Sequence, residues 1–393
     1  MGIADIACLA EILETVKILL CTDVPPFVVG GAETQSWRLA REWAAMGNQV
    51  ECVGYRIASQ VQNEIRLHRL PLLKRGGRLV RGMGYFFALG LFLLKRRRSY
   101  DVVYSRFLGE STLSVVLLKA MRLLRMPLVA VPAAAGHEDN SDLAILSSLP
   151  ATNGLIRLIN RHCDCINFIS PAIERDLRSA GIAPGKFRHI PNGVNLTGKT
   201  ALAPAGHPYR LLFVGRLEYQ KGLDILLPVM SRLAAEGHEF ELKILGTGSL
   251  LGELEEKVVS LGLDGKVHFS GVVDSDQVLE ELSRTHLFLL PSRYEGMSNA
   301  ALEALACGVP CVLSACGGID SYLDGDTGWV FNLEDVEDLH HGLSQALCIS
   351  AEEWEIRSRR SRQLVMDNFS MPVVAREYLD LFRELACAPE STV

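Results

Sequence analysis

Two glutamates, Glu295 and Glu303, stand in the stretch Pro291-Ser292-Arg293-Tyr294-Glu295-Gly296-Met297-Ser298-Asn299-Ala300-Ala301-Leu302-Glu303. The first falls in a loop. The second falls about one turn into a helix whose start is predicted at Ser298 or Asn299, both good N-cap residues. Unpaired backbone N–H groups at such a start hold an anion. A carboxylate accepts two hydrogen bonds from a vicinal diol such as a ribose. The pair therefore suits a ligand with a diphosphate in its middle and hydroxyls at both ends. Taken alone, the two carboxylates also fit an acid/base couple. For Glu303 the plain alternative is a helix-surface charge, but its neighbours Ala300, Ala301, Leu302, Ala304, Leu305 and Ala306 are small or apolar. A wholly solvated face does not look like that.

Cations for such an anion stand upstream, in Gly215-Arg216-Leu217-Glu218-Tyr219-Gln220-Lys221-Gly222. Arg216 offers a planar fork of donors and Lys221 a mobile point charge, and both can reach one phosphate. A pair of solvated surface cations is the competing reading. Gly246-Thr247-Gly248-Ser249 and Gly271-Val272-Val273 follow further predicted strands. Their glycines let backbone approach a flat ligand closely. Gly308, Pro310, Gly317 and Gly318 make another such loop. Asp324-Gly325-Asp326 has the D-x-D form of a metal-binding pair but sits where a turn is predicted, and shaping that turn explains it.

These loops need strands before them and helices after them. Short apolar runs alternate with helical patterns along the chain, which predicts parallel sheets covered by helices. Strands are expected at Val16 to Leu20, Val50 to Gly54, Val102 to Tyr104, Leu128 to Val131 and Ile166 to Ser170. After a Gly-, Pro-, Ala- and Thr-rich linker at Pro191 to Pro208 they resume at Arg210 to Val214, Phe240 to Leu245, Lys266 to Phe269, Leu287 to Leu290 and Pro310 to Leu313. Helices are expected at Ala32 to Met46, Leu223 to Glu236, Leu250 to Leu261 and Val373 to Leu385. Three regions follow: 1–205, 206–370 and a final helical segment, 371–393. Two doubly wound halves imply a cleft, with ligands at the carboxyl ends of the strands.

Composition sets outer limits. A chain of 393 residues with 48% hydrophobic and 22% charged residues suits two globular domains. A net charge of −6 gives no reason to expect nucleic acid as a partner. Ten cysteines are scattered without zinc spacing, so buried free thiols in a reducing cytosol are expected. No basic secretory leader opens the sequence, and a cytoplasmic location is expected. The longest apolar run, Met83 to Leu94, is shorter than the roughly 20 residues that span a bilayer. Lys95, Arg96, Arg97 and Arg98 follow it, and Arg75, Arg78 and Arg81 precede it. Two readings stay open: a core helix with a basic end, or a peripheral contact with the inner face of a membrane through Gly82 to Arg98.

The second half resembles the retaining glycosyltransferases of the GT-B fold, in the large group called family 4. Glu295 to Glu303 matches that family's E-x7-E pattern. GRLEYQKG, ILGTGS, FSGVV, LLPSRYEGMSNAALEALACGVP and GG…GDTGWVF occur in its order, PNGV at Pro191 to Val194 marks the end of its first domain, and GGAE at Gly30 to Glu33 matches its N-terminal glycine loop. The resemblance runs from about Val16 to Leu385, specific in the second half and loose in the first. It implies an α/β GT-B fold of two doubly wound Rossmann-like domains facing a central cleft, with a C-terminal helix crossing back to the first domain. It also implies sugar transfer (EC 2.4) from a nucleotide-diphosphate sugar to a glycan, lipid-linked or small-molecule acceptor, with no metal and no other cofactor.

The resemblance assigns roles as well. Arg216 and Lys221 bind the donor diphosphate, supported by backbone at Ser298 and Asn299. Glu303 takes the ribose hydroxyls, and Glu295 stabilises charge at the anomeric carbon. Val272 and the loop at Gly246 lie against the nucleoside, and Gly30 and Gly31 let the first domain approach the diphosphate and sugar. Many members carry a histidine just after the fourth strand. Here Pro132-Ala133-Ala134-Ala135-Gly136-His137 brings His137 later than that pattern, so it either fills the role or is an ordinary loop residue. Asn48 stands where a histidine is usual, at a position that reads as structural. A nucleotide-sugar 2-epimerase or an inverting enzyme of the same fold, and a non-catalytic nucleotide-sugar binding protein, are the competing readings. A dehydrogenase is disfavoured, because Gly30 and Gly31 do not form a G-x-G-x-x-G.

Overall fold

Near-continuous apolar strands such as Leu128–Val131 and Leu287–Leu290 are buried along their whole length. Strands of that kind belong in parallel sheets covered on both faces. The structure, a computed structural model, describes residues 15–28, 30–71, 78–133, 143, 146, 151–196 and 198–387. The chain divides into two units. One comprises residues 1–169, 173–193 and 371–393, and the other residues 170–172 and 194–370.

The first unit holds strands β1 (Lys17–Cys21), β2 (Gln49–Gly54), β3 (Gln60–Gln62), β4 (Ile65–Arg69), β5 (Val102–Arg106), β6 (Leu128–Val131), β7 (Cys165–Phe168) and β8 (Phe187–His189). Its helices include α1 (Gly31–Ala45), α2 (Arg78–Lys95), α3 (Glu110–Ala120) and α4 (Thr152–His162), with α5 (Pro171–Ser179) following β7. The sheet order is β3-β4-β2-β1-β5-β6-β7-β8, parallel except for β3 against β4. Because β1 lies between β2 and β5, the strand order reverses at its carboxyl end, where α1 begins.

The second unit repeats the plan in six strands: β9 (Tyr209–Val214), β10 (Phe240–Leu245), β11 (Val267–Phe269), β12 (Leu287–Leu290), β13 (Cys311–Ser314) and β14 (Gly328–Phe331). Helices α6 (Leu223–Ala235), α7 (Leu251–Ser260), α8 (Ser275–Ser283), α9 (Asn299–Ala306), α10 (Val336–Ala346) and α11 (Ala351–Asn368) accompany them. The order β11-β10-β9-β12-β13-β14 puts the reversal between β9 and β12. Both units are thus Rossmann-like α/β sheets.

The last helix, α12 (Met371–Cys387), returns to the first unit. Its Tyr378 and Phe382 pack edge-on against Trp43 of α1, with ring centroids 5.7 and 5.2 Å away. The Trp43 indole donates to the Ala375 carbonyl at 3.1 Å. Asn167 at the end of β7 donates to the Tyr378 hydroxyl at 2.8 Å.

Some features differ from the sequence expectation and others meet it. The chain changes units at Gly193–Val194, twelve residues before the expected edge at 205. Val194 N–H donates to the Phe369 carbonyl and Ala201 N–H to the Cys307 carbonyl, so those linker residues pack with the second unit. The hairpin β3–β4 has no glycine in its turn. Asn63 and Glu64 supply the two left-handed residues instead, at φ 50° and 67°, so the usual turn signal is missing. Strands β8 and β14, three and four residues long, are too short to show a period. Cys21, Cys52, Cys163, Cys165, Cys307 and Cys311 are buried free thiols, and burial pushes those of Cys163 and Cys165 up to about 12. Asn48 has the structural role expected of it, accepting from Val16 N–H and donating to the Trp43 carbonyl.

One buried group makes the second unit sensitive to acid. His286, next to β12, is buried, and its ring meets the Arg210 backbone N–H and guanidinium at 3.1 and 2.9 Å. Burial first, and then the Arg210 charge, hold it down to about 4 from 6.5. The unfolded chain binds that proton more readily, so stability falls as pH drops from about 6.5 toward 4. At pH 5 the expected loss is about 2 kcal/mol relative to pH 7.5. Urea midpoints at the two pH values check it, and in His286→Gln the difference should shrink. An unchanged difference in that variant removes His286 as the cause.

Candidate active site

The loops after β9, β10 and β12 are packed backbone against backbone, and glycine makes that possible. Gly222 has φ +66°, and a Cβ there would lie 1.9 Å from the Pro291 carbonyl oxygen. Gly246 has φ +139°, and a Cβ there would lie 1.9 Å from the Gly215 carbonyl oxygen. Backbone hydrogen bonds run across the same contacts. Leu217 N–H donates to Thr247 O at 3.0 Å, Arg293 N–H to Gln220 O at 2.8 Å, and Gly246 N–H to Gly271 O at 2.7 Å. Side chains lock the arrangement further. Glu218 accepts from the Ser249 N–H at 2.9 Å and from its hydroxyl, and those bonds hold its carboxyl below the usual range. Arg293 donates twice to Asp224 at the start of α6, at 2.8 and 2.7 Å, which holds the Asp224 carboxyl down. Its guanidinium also lies 3.7 Å from the Tyr219 ring centre.

This packing brings Lys221 and Glu295 together, although 74 residues separate them. The ammonium donates to Glu295 Oε1, and both side chains are nearly buried, 12% and 11% exposed. The same oxygen accepts from the Ser292 hydroxyl at 2.9 Å. The Ser292 carbonyl in turn accepts from the Ser314 hydroxyl at the end of β13. Behind Glu295, Asp320 accepts from the N–H groups of Gly317 and Gly318 at 2.9 and 2.7 Å. A Cβ on Gly318 would lie 3.1 Å from the Gly296 carbonyl oxygen and 3.6 Å from the Glu295 Cβ, so that loop fixes the position of the glutamate. The result is a carboxylate and an ammonium held at the carboxyl ends of adjacent strands, where open α/β sheets bind ligands.

Helix α9 follows directly. Ser298 is its N-cap, with the hydroxyl accepting from Ala301 N–H at 3.3 Å. Asn299 opens the helix, and Glu303 sits half-buried in its second turn. Arg216 is exposed and donates to Gln220 Oε1 at 3.0 Å, while Gln220 donates to the Tyr294 carbonyl at 3.0 Å. One bridging glutamine therefore ties Arg216 to the loop of Glu295. Val272, 75% exposed, stands on the loop after β11 beside Gly271, the residue that accepts from Gly246.

Arg216, Lys221, Gly246, Val272, Glu295, Ser298, Asn299 and Glu303 are thus all in the second unit, on the loops that follow its strands or on α9. Gly30 and Gly31 belong to the first unit, at the start of α1, with Gly30 extended as its N-cap. His137 lies outside the described residues. The Asp324 carboxylate accepts from Asp326 N–H and the Thr327 hydroxyl, so it shapes its turn. Sequence reasoning did not single out Ser292, Gln220 or Asp320. Ser292 had a weak signal, as a hydroxyl three residues before the glutamate at the end of an apolar strand. Gln220 and Asp320 had none, because Gln220 acts by bridging Arg216 to the Tyr294 carbonyl and Asp320 by accepting from backbone N–H groups.

Comparison with known proteins follows the same division. A sequence model described as "Glycosyltransferase Family 4" matches residues 29–197, and one described as "Glycosyl transferases group 1" matches residues 208–348. An uncharacterized glycosyltransferase of Methanocaldococcus jannaschii is 23% identical over 404 residues, covering 93% of this chain and 98% of that protein. Several other curated relatives match this chain along about half of their own length. Among solved structures, sucrose-phosphate synthase from Thermosynechococcus elongatus superposes with a TM-score of 0.76 at 20% identity, covering 95% of this chain and all of that one. An Anabaena protein, HepE, solved with UDP-glucose, gives a TM-score of 0.71 at 17% identity, covering 94% and 100%.

Proposed function

Because the chain is a GT-B glycosyltransferase of the family 4 type, we propose that it moves a sugar from a nucleotide-diphosphate sugar to an acceptor hydroxyl with retention at the anomeric carbon. The observation that carries this reading is the Lys221–Glu295 contact at the ends of β9 and β12, beside the start of α9. In this reaction the bond from the anomeric carbon to the diphosphate oxygen breaks with its electron pair staying on that oxygen, the acceptor oxygen bonds to the carbon on the same face, and the acceptor's hydroxyl proton passes to the departing diphosphate. Lys221, with three donors, serves a phosphate oxygen and Glu295 together. Arg216 and the N–H groups near Ser298 and Asn299 take the remaining phosphate charge, which favours the leaving group most as charge builds. Glu295, freed in part from Lys221 by that competition, faces the positive charge developing on the sugar. Glu303 accepts from the ribose hydroxyls, and Val272 and Gly246 lie along the nucleoside. Gly30 and Gly31 are assigned to the donor from the first unit, and His137 to the transferred sugar.

The UDP-glucose held by the Anabaena protein of the same fold supports a nucleotide-sugar donor. Synthesis of a glycan, glycolipid or polysaccharide inside the cell is the setting that fits this donor class. The cations named above take the part that a metal plays elsewhere, so turnover is expected to persist in excess EDTA. The test is a donor screen measuring nucleoside-diphosphate release across UDP-, GDP- and ADP-sugars, with and without EDTA. Acceptor-dependent release from one of them supports the reading. Conversion of a donor to its epimer without release overturns it, and so does release that EDTA abolishes for the metal-free part.

A further inference from the structure

Helix α2 shows both of its faces in the structure. Tyr85, Leu89 and Leu93 are buried under it, while Val80, Met83, Phe87 and Leu91 project outward on the opposite side. The last three are 60%, 64% and 56% exposed. Their spacing of three to four residues makes one straight stripe, Lys95 continues it to the end of the helix, and Arg98 stands in the turn that follows. From Val80 to Lys95 the stripe runs roughly 22 Å. Between Val80 and Leu91 every side chain described as exposed is apolar.

A second helix widens this face. Helix α3 runs alongside α2, with Gly82 against Glu110, the Ser114 hydroxyl on the Phe86 carbonyl at 3.1 Å, and Gly90 against Leu118. That register puts the outer turns of α3 beside Leu91 and the basic end of α2. Leu117, Met121 and Leu123 are exposed there, with exposed Arg122 among them. Isolated exposed leucines need no explanation, but seven large apolar side chains on two adjacent helices and the turn after the second do.

Charge says what covers them. Lys95, Arg97, Arg98 and Arg122 are exposed and make no ion pair among the described residues. The acids near this end are engaged elsewhere. Glu51 is held by His68, Arg96 and Tyr100, Asp101 accepts from Lys17 N–H, and Asp164 pairs with Lys119. The one exposed acid on the two helices, Glu110, lies at the far end. An apolar face bordered by cations at one end fits the headgroup layer of an anionic bilayer, with the apolar side chains among the upper acyl carbons. Among the described residues no helix is long and apolar enough to cross a membrane.

We infer that the α2–α3 face of the first unit docks on an anionic membrane surface, which makes the acceptor membrane-borne. The docking itself is independent of the proposed transfer reaction, and only the acceptor's carrier rests on that reading. The experiment is co-sedimentation of the full chain with phosphatidylcholine vesicles, with and without phosphatidylglycerol, at low and high salt. Binding is expected on the anionic vesicles and should weaken with salt. Phe87→Ser with Leu91→Ser, and separately Arg97→Glu with Arg98→Glu, are each expected to lower the partition coefficient about 10-fold or more. All four residues are exposed, so folding is not at stake, and nucleotide binding measured on the same variants should stay unchanged. No binding to anionic vesicles at low salt overturns the inference. So does wild-type binding in both variants, or a dimer in solution that the apolar substitutions dissolve while vesicles bind neither form. Vesicle binding without nucleoside-diphosphate release from any donor would sink the transferase reading and leave the docking face standing.

Discussion

Glu295→Gln is expected to lower nucleoside-diphosphate release by about 100- to 1,000-fold, the usual effect of removing one charged group that acts mainly in the transition state. Glutamine keeps the shape and can still accept from the Ser292 hydroxyl, so positioning survives while charge is lost. Nucleotide affinity should stay within a few-fold, because the diphosphate meets Lys221, Arg216 and the start of α9. Stability changes separately. Lys221 and Glu295 are a nearly buried pair, and removing one partner leaves the other charge uncompensated, at a cost of about 3–5 kcal/mol. Lys221→Met should show a similar stability loss together with weakened donor binding. The double variant should recover most of the stability and none of the turnover. Steady-state release, nucleotide titration and urea midpoints on the four proteins separate these effects. Full turnover in Glu295→Gln would remove that residue from the chemistry.

Gly222→Ala is expected to cost folding about as much as breaking that pair. The backbone there is left-handed, at φ +66°, and the added carbon meets the Pro291 carbonyl oxygen at 1.9 Å. That oxygen is main chain, so no rotamer change relieves the clash. Strain and overpacking each cost about 1–3 kcal/mol, and together about 3–5 kcal/mol. Whatever relief occurs must move the loop of Lys221 away from that of Glu295, so donor binding should fall as well. Gly237→Ala is the matched control. Its φ is +96° with nothing within 4 Å of the new carbon, so only backbone strain is added, about 1 kcal/mol. Equal losses in the two variants would mean that the contact with Pro291 is unimportant.

The legibility of this fold in its sequence followed a physical line. Apolar strands such as Leu287–Leu290 announce themselves because both faces are buried. The loops after them were visible through residue type, since glycines, cations and carboxylates after a strand have few other uses. The contacts between those loops were not visible. Lys221 meets Glu295 because β9 and β12 are neighbours in a sheet whose order reverses there, and a strand order is not written in either loop. Ser292 illustrates the same limit, since its role depends on where its hydroxyl points. In the first unit, α2 gave two open readings because a period of apolar residues does not say which side of a helix is covered. The β3–β4 turn escaped notice because Asn63 and Glu64 do the work expected of glycine.

The return of α12 to the first unit governs the order in which a nascent chain can finish folding. Trp43 leaves the ribosome 332 residues before its hydrogen-bond acceptor, Ala375. At ordinary synthesis rates that interval is on the order of tens of seconds. Through it the aromatic surface of Trp43 and Tyr104 has no Tyr378 or Phe382 to cover it. Residues 194–370 are complete before that helix is made. The half of the protein translated first is therefore the half closed last, and it is the one a chaperone would have to guard.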